Sequence, residues 1–351
     1  MPLSDVADAA FAPAARAVAA GKIPGATLGL VTAGGERALV STGHAQLQPM
    51  REPLTLGHWW DLASLTKVIA TAPAILKLAD EGRLDLDRPI ADAIPDLRQY
   101  DVANAAERRI TFRAALSHQT HLPAVEPIYT YGSDPRTLRA FVLQREWRAG
   151  LPVYSDINFI LLGIAIERLT GRPLDLLPMP PGLAWRPDPA LSVSTERCMW
   201  RERVLKGEVH DENAAALGGA AGHAGLFGTI DGVLDFARGL LDGTGASPTA
   251  LSAMRERASL TRACGWERRV PGWPGGDACS DGAIGHTGFT GTGLWLDFER
   301  GLAWSLLTNR VHPTRHRETG IAALRRETGD RVIAAFDRSA PKPLAPPAPL
   351  C

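Results

Sequence analysis

The predicted β-strands of this 351-residue chain lie near its two ends, with helical and loop-rich sequence between them. Apolar and β-branched runs bounded by glycine and proline predict strands over residues 25–32, 37–42, 262–273, 283–297 and 301–309. The simplest architecture is an α+β fold, with an antiparallel sheet made from both ends of the chain and an inserted helical domain. A cleft between the two parts is the expected place for a functional site.

The expected sheet domain comprises residues 1–80 together with 205–337, and the expected helical domain comprises residues 81–204. The proline-rich residues 338–351 are predicted to be disordered. Hydrophobic residues make up 45% of the chain and charged residues 22%, so a sizeable core is expected. Helices that flank the sheet are predicted over residues 5–20, 230–241 and 315–336.

Composition argues against several classes of partner. The formal net charge is zero, so no overall field attracts nucleic acid or an anionic membrane. No segment approaches about 18 uninterrupted apolar residues, and residues 1–21 lack a signal-peptide pattern, which predicts a cytoplasmic protein. The four cysteines fit no metal spacing, so we expect free thiols and no metal or other cofactor, although Cys264 and Cys279 could approach each other.

Ser64-Leu65-Thr66-Lys67 places a serine and a lysine three residues apart, on one face of a helix. A serine at a helix start lies near backbone N–H donors and beside the amine, which suits activation of a weak oxygen nucleophile. A second copy, Ser339 to Lys342, stands in proline-rich sequence that cannot be a helix interior, so the pattern also arises by chance. The apolar helix after Lys67 favours the first copy, and the alternative is an ordinary core helix with a polar start.

Two further segments add to this motif. Tyr154-Ser155-Asp156 opens an apolar helix, and a tyrosine in that turn could reach a cleft as a general base. His286, Thr287 and Gly288 lie in a predicted strand edge rich in glycine, where a ligand backbone can approach closely. Each has a plain alternative, since Tyr154 could pack at the helix entry and the glycines could form a hairpin. Three such segments in this order are much less expected by chance than one.

The three motifs resemble those of the serine β-lactamase-related hydrolases: class C β-lactamases, DD-peptidases and related carboxylesterases. That family carries S-x-x-K, then Y-x-N or a variant, then K-T-G or H-T-G. The resemblance extends to residues 115–124 and 210–228, and it covers roughly residues 8 to 335. It implies a β-lactamase/transpeptidase-like fold and a serine nucleophile, and it says little about the substrate.

The resemblance implies two-step acyl transfer. Ser64 attacks a carbonyl, Lys67 accepts or relays the proton, and Tyr154 passes it to the leaving group. The sequence does not decide which of Lys67 and Tyr154 is the base. The backbone N–H groups of Ser64 and Phe289 are the implied oxyanion hole.

Two departures from the family pattern bear on the substrate. Asp156 stands where lactamases commonly have an amide, and a carboxylate only accepts hydrogen bonds. It should pair with Lys67 and raise the pKa of that lysine. Asn158 could partly replace the amide, although a helix turns it away. His286 replaces a lysine, so we expect its charge to be conditional near neutral pH and its binding of a substrate carboxylate to weaken above its pKa.

The remaining histidines carry weaker expectations. His118 and His121 have no third ligand spaced nearby, so they are not expected to bind a metal. His223 either lines the cleft or packs in the core. His312 and His316 flank a proline and are expected at the surface.

The sequence thus predicts a serine hydrolase, most simply a carboxylesterase-like enzyme on small acyl esters. The alternatives are a D-amino-acid peptidase or DD-carboxypeptidase that acts on peptides or wall fragments, a weak β-lactamase, or a catalytically silent ligand-binding protein. The expected partner is a small ester, amide or peptide, without nucleic acid or membrane, and the oligomeric state is unknown.

Overall fold

The structure is a computed structural model that describes residues 2–148 and 150–339. Residues 338 and 339 are the last two residues of a helix that ends at Ser339, so the predicted disorder is wrong there, and the rest of the predicted disordered tail lies outside the described residues. The α-helices are α1 (Leu3–Ala19), α2 (Ala72–Asp80), α3 (Phe112–Leu116), α4 (Pro135–Gln144), α5 (Asp156–Thr170), α6 (Glu212–Ala216), α7 (Ile230–Leu241), α8 (Pro248–Arg255) and α9 (Ile321–Ser339).

The β-strands are β1 (Gly25–Thr32), β2 (Arg37–Gln46), β3 (Glu52–Pro53), β4 (Trp60–Asp61), β5 (Leu183–Ala184), β6 (Ser194–Cys198), β7 (Arg203–Lys206), β8 (Phe227–Gly228), β9 (Glu267–Arg268), β10 (Ile284–Thr287), β11 (Gly293–Asp297) and β12 (Leu302–Thr308). Short 3₁₀ segments cover Ile90–Asp92, Ala106–Arg109, Ile128–Thr130, Leu174–Leu176 and Pro189–Leu191, and one π-helical segment covers Lys67–Thr71.

The main sheet joins the two ends of the chain, as the sequence predicts. Its strand order is β3-β2-β1-β12-β11-β10-β9, with antiparallel pairing throughout. The central pair is β1 with β12, in a register that sets Ala26 opposite Thr308 and Thr32 opposite Leu302. The sheet therefore contains strands from both ends of the chain. An antiparallel sheet of this kind together with the helices confirms the predicted α+β fold.

Both faces of the sheet are covered, so its central strands are apolar on both sides. Leu28 and Leu30 of β1 pack with Trp304 of β12 toward α1 and α9. Val31 and Leu307 of the same two strands face the opposite way, toward α7. This alternation with period two is what a sheet between two helical layers requires.

Helix α5 lies in the larger of the two apolar cores, with every residue from 157 to 166 buried. Its sequence is apolar on all sides, which suits a helix buried all round. The helix follows Ser155, whose backbone is extended, and it ends at Gly171 in the left-handed region with φ of 69°. Tyr154 and Asp156 therefore lie at the amino-terminal end of a rigid, buried element.

Some predicted elements differ from the structure. The strand expected over 262–273 is reduced to β9, because Pro271 and Pro274 cannot donate to a ladder and Gly272 has φ of 76°. The closing helix begins at Ile321 rather than at 315, directly after Gly320, whose φ is 70°.

Residues 81–204, expected to be helical and loop-rich, also contain β5, β6 and the first residues of β7. The proposed domain boundaries stay predictions. Within the described residues no helix is long and apolar enough to cross a membrane. Three of the four cysteines, Cys198, Cys264 and Cys279, are buried free thiols, so the possible approach of Cys264 to Cys279 is not a disulfide.

Candidate active site

Ser64 follows a strained turn at the end of β4. Ala63 has φ of 48°, a left-handed conformation that is uncommon outside glycine and that clusters at functional sites. The buried carboxylate of Asp61 holds this turn. Its Oδ1 accepts a hydrogen bond from the Ala63 N–H at 2.8 Å, and its Oδ2 accepts one from the His210 N–H at 2.6 Å. Asp61 therefore fixes the backbone immediately before the serine.

The helix after Ser64 starts with a π-helical turn, Lys67–Thr71, before it becomes α2. Turns of this kind occur frequently at functional sites. The Lys67 side chain is 0% exposed, and its Nζ donates to Ser64 Oγ at 3.0 Å. The structure thus brings together the two residues that the S-x-x-K spacing places on one helical face.

Lys67 is surrounded by acceptors. Its Nζ lies 2.8 Å from Asp156 Oδ1, and it donates to the carbonyl oxygen of His223 at 3.0 Å. It also lies 5.1 Å from the centroid of the Tyr154 ring. Burial lowers the pKa of Lys67, but the charge of Asp156 and the nearby Tyr154 outweigh burial, so the pKa is raised overall. The expected Lys67–Asp156 pair is therefore present, and it favours the ammonium form.

The Tyr154 ring is packed among three cationic or aromatic side chains. Its centroid lies 4.5 Å from that of His118 and 5.8 Å from that of His286, and the guanidinium carbon of Arg262 lies 5.0 Å from it. Burial raises the pKa of Tyr154, and the nearby Lys67 offsets only part of this increase. The phenol therefore keeps its proton at neutral pH.

The turn between β10 and β11 is bound to the segment that precedes Ser64. Thr290 Oγ1 donates to the Asp61 carbonyl at 2.8 Å, and Thr292 Oγ1 donates to the Leu62 carbonyl at 3.1 Å. A Cβ at Gly288 would lie 2.6 Å from the Leu62 oxygen, so only glycine allows this close approach. The third motif thus lies directly beside the candidate nucleophile.

The backbone N–H groups of Ser64 and Phe289, at this junction, are without a protein acceptor within residues 2–148 and 150–339. Phe289 follows Gly288 in the β10–β11 turn, and the residue is 49% exposed. Unpaired N–H donors beside a nucleophile are the groups that can stabilise an oxyanion.

His286 differs from the expectation of a conditional charge near neutral pH. Its side chain is buried, and Nδ1 lies 2.9 Å from the Thr287 carbonyl oxygen, which can only accept, so Nδ1 carries the proton. Burial, together with the positive charges of Arg262 and Lys67, lowers the pKa of His286 well below its usual value. His286 is therefore neutral at neutral pH, while Thr287 lies partly exposed at the end of β10.

His223 and Asn158, the two possible cleft residues, are both buried. His223 Nε2 lies 2.9 Å from Asp211 Oδ1, so its side chain packs in the core while its carbonyl binds Lys67. Asn158 Oδ1 accepts from Thr120 Oγ1 at 2.9 Å, so the helix does turn it away from the position that Asp156 occupies.

His118 is a neighbour of the site that sequence reasoning missed. It is buried, and its Nδ1 accepts the Ser155 N–H at 3.0 Å while its ring lies against Tyr154. Arg262 was also missed, because a lone arginine in a predicted strand gives no signal. Its Nη1 lies 3.3 Å from Glu267 Oε1. No group of three or more metal-ligating side chains occurs in the part of the chain that the structure describes.

His312 was expected at the surface and is buried instead. Its Nε2 accepts the Leu47 N–H at 2.8 Å, and its Nδ1 lies 3.0 Å from the Thr195 carbonyl oxygen. Both ring nitrogens are satisfied by backbone groups, which makes burial of a neutral imidazole possible. His316 is exposed, as expected.

Comparison with known proteins agrees with this geometry. The family model described as Beta-lactamase matches residues 11–327, nearly the whole chain. The chain belongs to the Beta-lactamase family. This confirms the resemblance drawn from the motifs, and because the family consists of serine hydrolases that form an acyl-enzyme, it supports a serine hydrolase.

Two curated relatives and one solved structure illustrate the likeness. An N-acetylmuramyl-L-alanine amidase of Bacillus subtilis is 30% identical, over 72% of this chain and 68% of its own length. A putative D-alanyl-D-alanine carboxypeptidase of Escherichia coli is 29% identical, over 75% of this chain and 72% of its own length. The simvastatin synthase LovD of Aspergillus terreus superposes with a TM-score of 0.72 at 18% identity, and the match covers 94% of this chain and 98% of LovD, which shows the shared fold.

Proposed function

We propose that this protein hydrolyses small esters and amides through an acyl-enzyme on Ser64. The observation that carries the proposal is the position of Lys67, whose buried Nζ lies 3.0 Å from Ser64 Oγ and 2.8 Å from Asp156. A buried lysine in contact with the serine hydroxyl can take up or relay the serine proton once the Lys67–Tyr154 pair has lost one proton, which is what general-base activation of a serine requires. An ordinary core helix has no reason to bury a lysine at this point.

The proposed chemistry has two halves. In molecules whose Lys67–Tyr154 pair has lost one proton, Ser64 Oγ attacks the substrate carbonyl and gives its own proton to that pair. The N–H groups of Ser64 and Phe289 stabilise the oxyanion, and Tyr154 returns the proton to the departing oxygen or nitrogen. Water then attacks the acyl group, and Ser64 regains its proton as the acid product leaves.

Esters are the favoured substrate class. Asp156 only accepts hydrogen bonds, and its Oδ1 is engaged by Lys67, so it cannot donate to the carbonyl of an acylamino side chain. His286 is neutral and buried, so it supplies no fixed charge for a substrate carboxylate. Small acyl esters need neither interaction.

A second candidate, hydrolysis of amides in cell-wall peptides, is favoured by Arg262. Its guanidinium carbon lies 5.0 Å from the centroid of the Tyr154 ring, and although one nitrogen pairs with Glu267 at 3.3 Å, the group keeps a permanent positive charge near the site. A peptide with a free carboxylate fits a cation at this position. The names of the two curated relatives, an amidase and a putative carboxypeptidase, point to the same substrate class.

The test is covalent labelling followed by a substrate panel. Intact-mass analysis after treatment with a fluorophosphonate should show one adduct on the wild type and on Ser339→Ala, and none on Ser64→Ala. Ser339→Ala is the matched control because it removes the other S-x-x-K serine. Purified protein is then assayed on p-nitrophenyl esters, peptides that end in D-alanyl-D-alanine, and muramyl-L-alanine amides. An unlabelled wild type would instead support a silent binding protein, and an adduct that survives in Ser64→Ala would exclude Ser64.

A further inference from the structure

Arg325 of α9 is a buried cation that contacts the third motif. It is 8% exposed, and no carboxylate lies within 4.0 Å of its guanidinium in the described part of the chain. One terminal nitrogen donates to two carbonyl oxygens, those of Gly288 and Thr292, at 2.7 Å each. The side chain therefore ends at the β10–β11 turn rather than in an ion pair.

A buried charge without a counterion is costly, because the protein interior replaces its hydration poorly. Burial and the nearby Arg310 lower the pKa of Arg325 to about 9, so the guanidinium still carries its charge at pH 7. Packing alone would be served better by methionine or leucine. A charged side chain at this position is therefore best explained by an interaction that an apolar side chain cannot make.

The bonded oxygen and the candidate oxyanion donor belong to one peptide unit. The Gly288 carbonyl and the Phe289 N–H share a planar trans peptide, so they point in opposite directions. Arg325 and the Gly291 N–H, the latter at 3.1 Å, both donate to that carbonyl oxygen. A charge-assisted bond at the oxygen fixes the plane of the peptide and polarises it, which makes its N–H a stronger donor.

We propose that Arg325 is a positioning residue that orients and polarises the Phe289 N–H for oxyanion stabilisation. The inference rests on the proposed function, in which that N–H is one of two oxyanion donors. Glycine at 288 gives this peptide unusual freedom to rotate, and the second bond from Arg325, to Thr292, ties both ends of the turn to one rigid group.

The test compares Arg325→Met and Arg325→Lys with Arg98→Met. Arg98 is also 8% exposed, and it is paired with Glu107 outside the site, so its replacement reports the effect of losing a buried arginine as such. Three quantities are measured for each variant: kcat and KM on a p-nitrophenyl ester, the inhibition constant of a phenylboronic acid that forms a tetrahedral anion on serine, and the melting temperature.

Complete loss of an oxyanion donor typically lowers kcat by about 100- to 1000-fold, so weakening one should lower it by about 10- to 100-fold. We expect this loss in Arg325→Met with KM nearly unchanged, a similar loss of boronate affinity, and a smaller effect in Arg325→Lys. If Arg325→Met does not fold, Arg325→Lys carries the same comparison.

Two outcomes would overturn the inference, and they can be told apart. If the wild type turns over esters and the Arg325 variants lose no more kcat or boronate affinity than Arg98→Met, Arg325 is only structural. If the wild type neither hydrolyses esters nor binds the boronate, the proposed function fails and the inference fails with it.

Discussion

Lys67 and Asp156 form an ion pair of 2.8 Å at the end of a buried lysine side chain. The carboxylate stabilises the ammonium, so the pKa of Lys67 is raised although burial alone would lower it. Asp156 likewise disfavours the tyrosinate form of Tyr154, whose pKa is raised mainly by burial. Either candidate base therefore becomes available only as the pH rises.

The first prediction follows from this pair. Asp156→Asn removes the negative charge, so the pKa values of both Lys67 and Tyr154 should fall. Whichever residue is the base, the pH at which kcat/KM rises on an ester should move to lower values than in the wild type. A pH–rate profile from pH 5 to 10 measures this. An unchanged profile would show that Asp156 does not control the base.

The second prediction concerns proton transfer between Lys67 and Tyr154. Lys67→Ala and Tyr154→Phe should each lower kcat by at least about 100-fold, the lower end for general acid–base catalysis. Since the two groups act on one proton, the double variant should be little worse than either single one. Steady-state kinetics on one ester provide the numbers. Independent losses that multiply would argue against a shared relay.

The third prediction is that Asp61 acts through the turn at Ala63. Asp61→Asn turns one acceptor into a donor that faces a backbone N–H, so the turn should shift and kcat should fall by about 10- to 100-fold. Ala63→Gly should restore part of this loss, because glycine adopts a positive φ without strain. The control is Asp297→Asn, which alters another buried aspartate that accepts a backbone N–H, from Ser280. If both aspartate variants lose kcat equally and Ala63→Gly restores none of it, Asp61 has only a structural role.

The fourth prediction concerns acid stability and Glu196, which contacts His210 at 3.0 Å and Arg315 at 2.6 Å. Burial raises its pKa, but these partners outweigh burial and lower the pKa from 4.5 to about 2. A depressed carboxyl pKa stabilises the fold above the unfolded value near 4.5, and the contribution disappears as pH falls toward 2. The difference corresponds to about 3 kcal/mol of unfolding free energy.

Urea unfolding of Glu196→Gln should therefore show a loss of that order at pH 7 and a clearly smaller loss at pH 3. Glu208→Gln is the control, because Glu208 pairs with Arg203 at the surface, where an ion pair contributes about 0–1 kcal/mol. A loss for Glu196→Gln that is the same at both pH values would exclude titration of this carboxyl as its cause.

The spacing of apolar residues along the sequence was enough to predict several individual strands and helices. Strand β1 and helix α7 have the predicted bounds, because period-two and period-3.6 patterns are strong there. Ser64 and Lys67 meet because their spacing fixes them on one helical turn. The strand predicted over 262–273 is too long, because Pro271 and the positive φ of Gly272 interrupt an otherwise apolar pattern and only β9 forms.

Contacts between distant residues could not be predicted in this way. Asp61 bonds to His210, which is 149 positions away, and Arg325 bonds to Gly288, which is 37 positions away. No spacing rule connects such pairs, and a single aspartate or arginine carries no signal of its own. The neutral state of His286 likewise depends on burial by elements from other parts of the chain.

The last prediction is that simple esters are turned over much faster than β-lactams. The alcohol of an ester departs after acylation and leaves a path for water to the acyl group on Ser64, whereas the amine of a β-lactam stays tethered and can block that path. Asp156 also cannot donate to an acylamino carbonyl, and an unpaired buried polar group costs about 1–3 kcal/mol.

Short-chain p-nitrophenyl esters should show steady turnover, and penicillins should acylate slowly or remain as a trapped adduct visible by intact mass. Asp156→Asn should move the ratio of kcat/KM values toward β-lactams, because the amide can donate. A wild type that hydrolyses a cephalosporin with a higher kcat/KM than every ester tested would refute this preference.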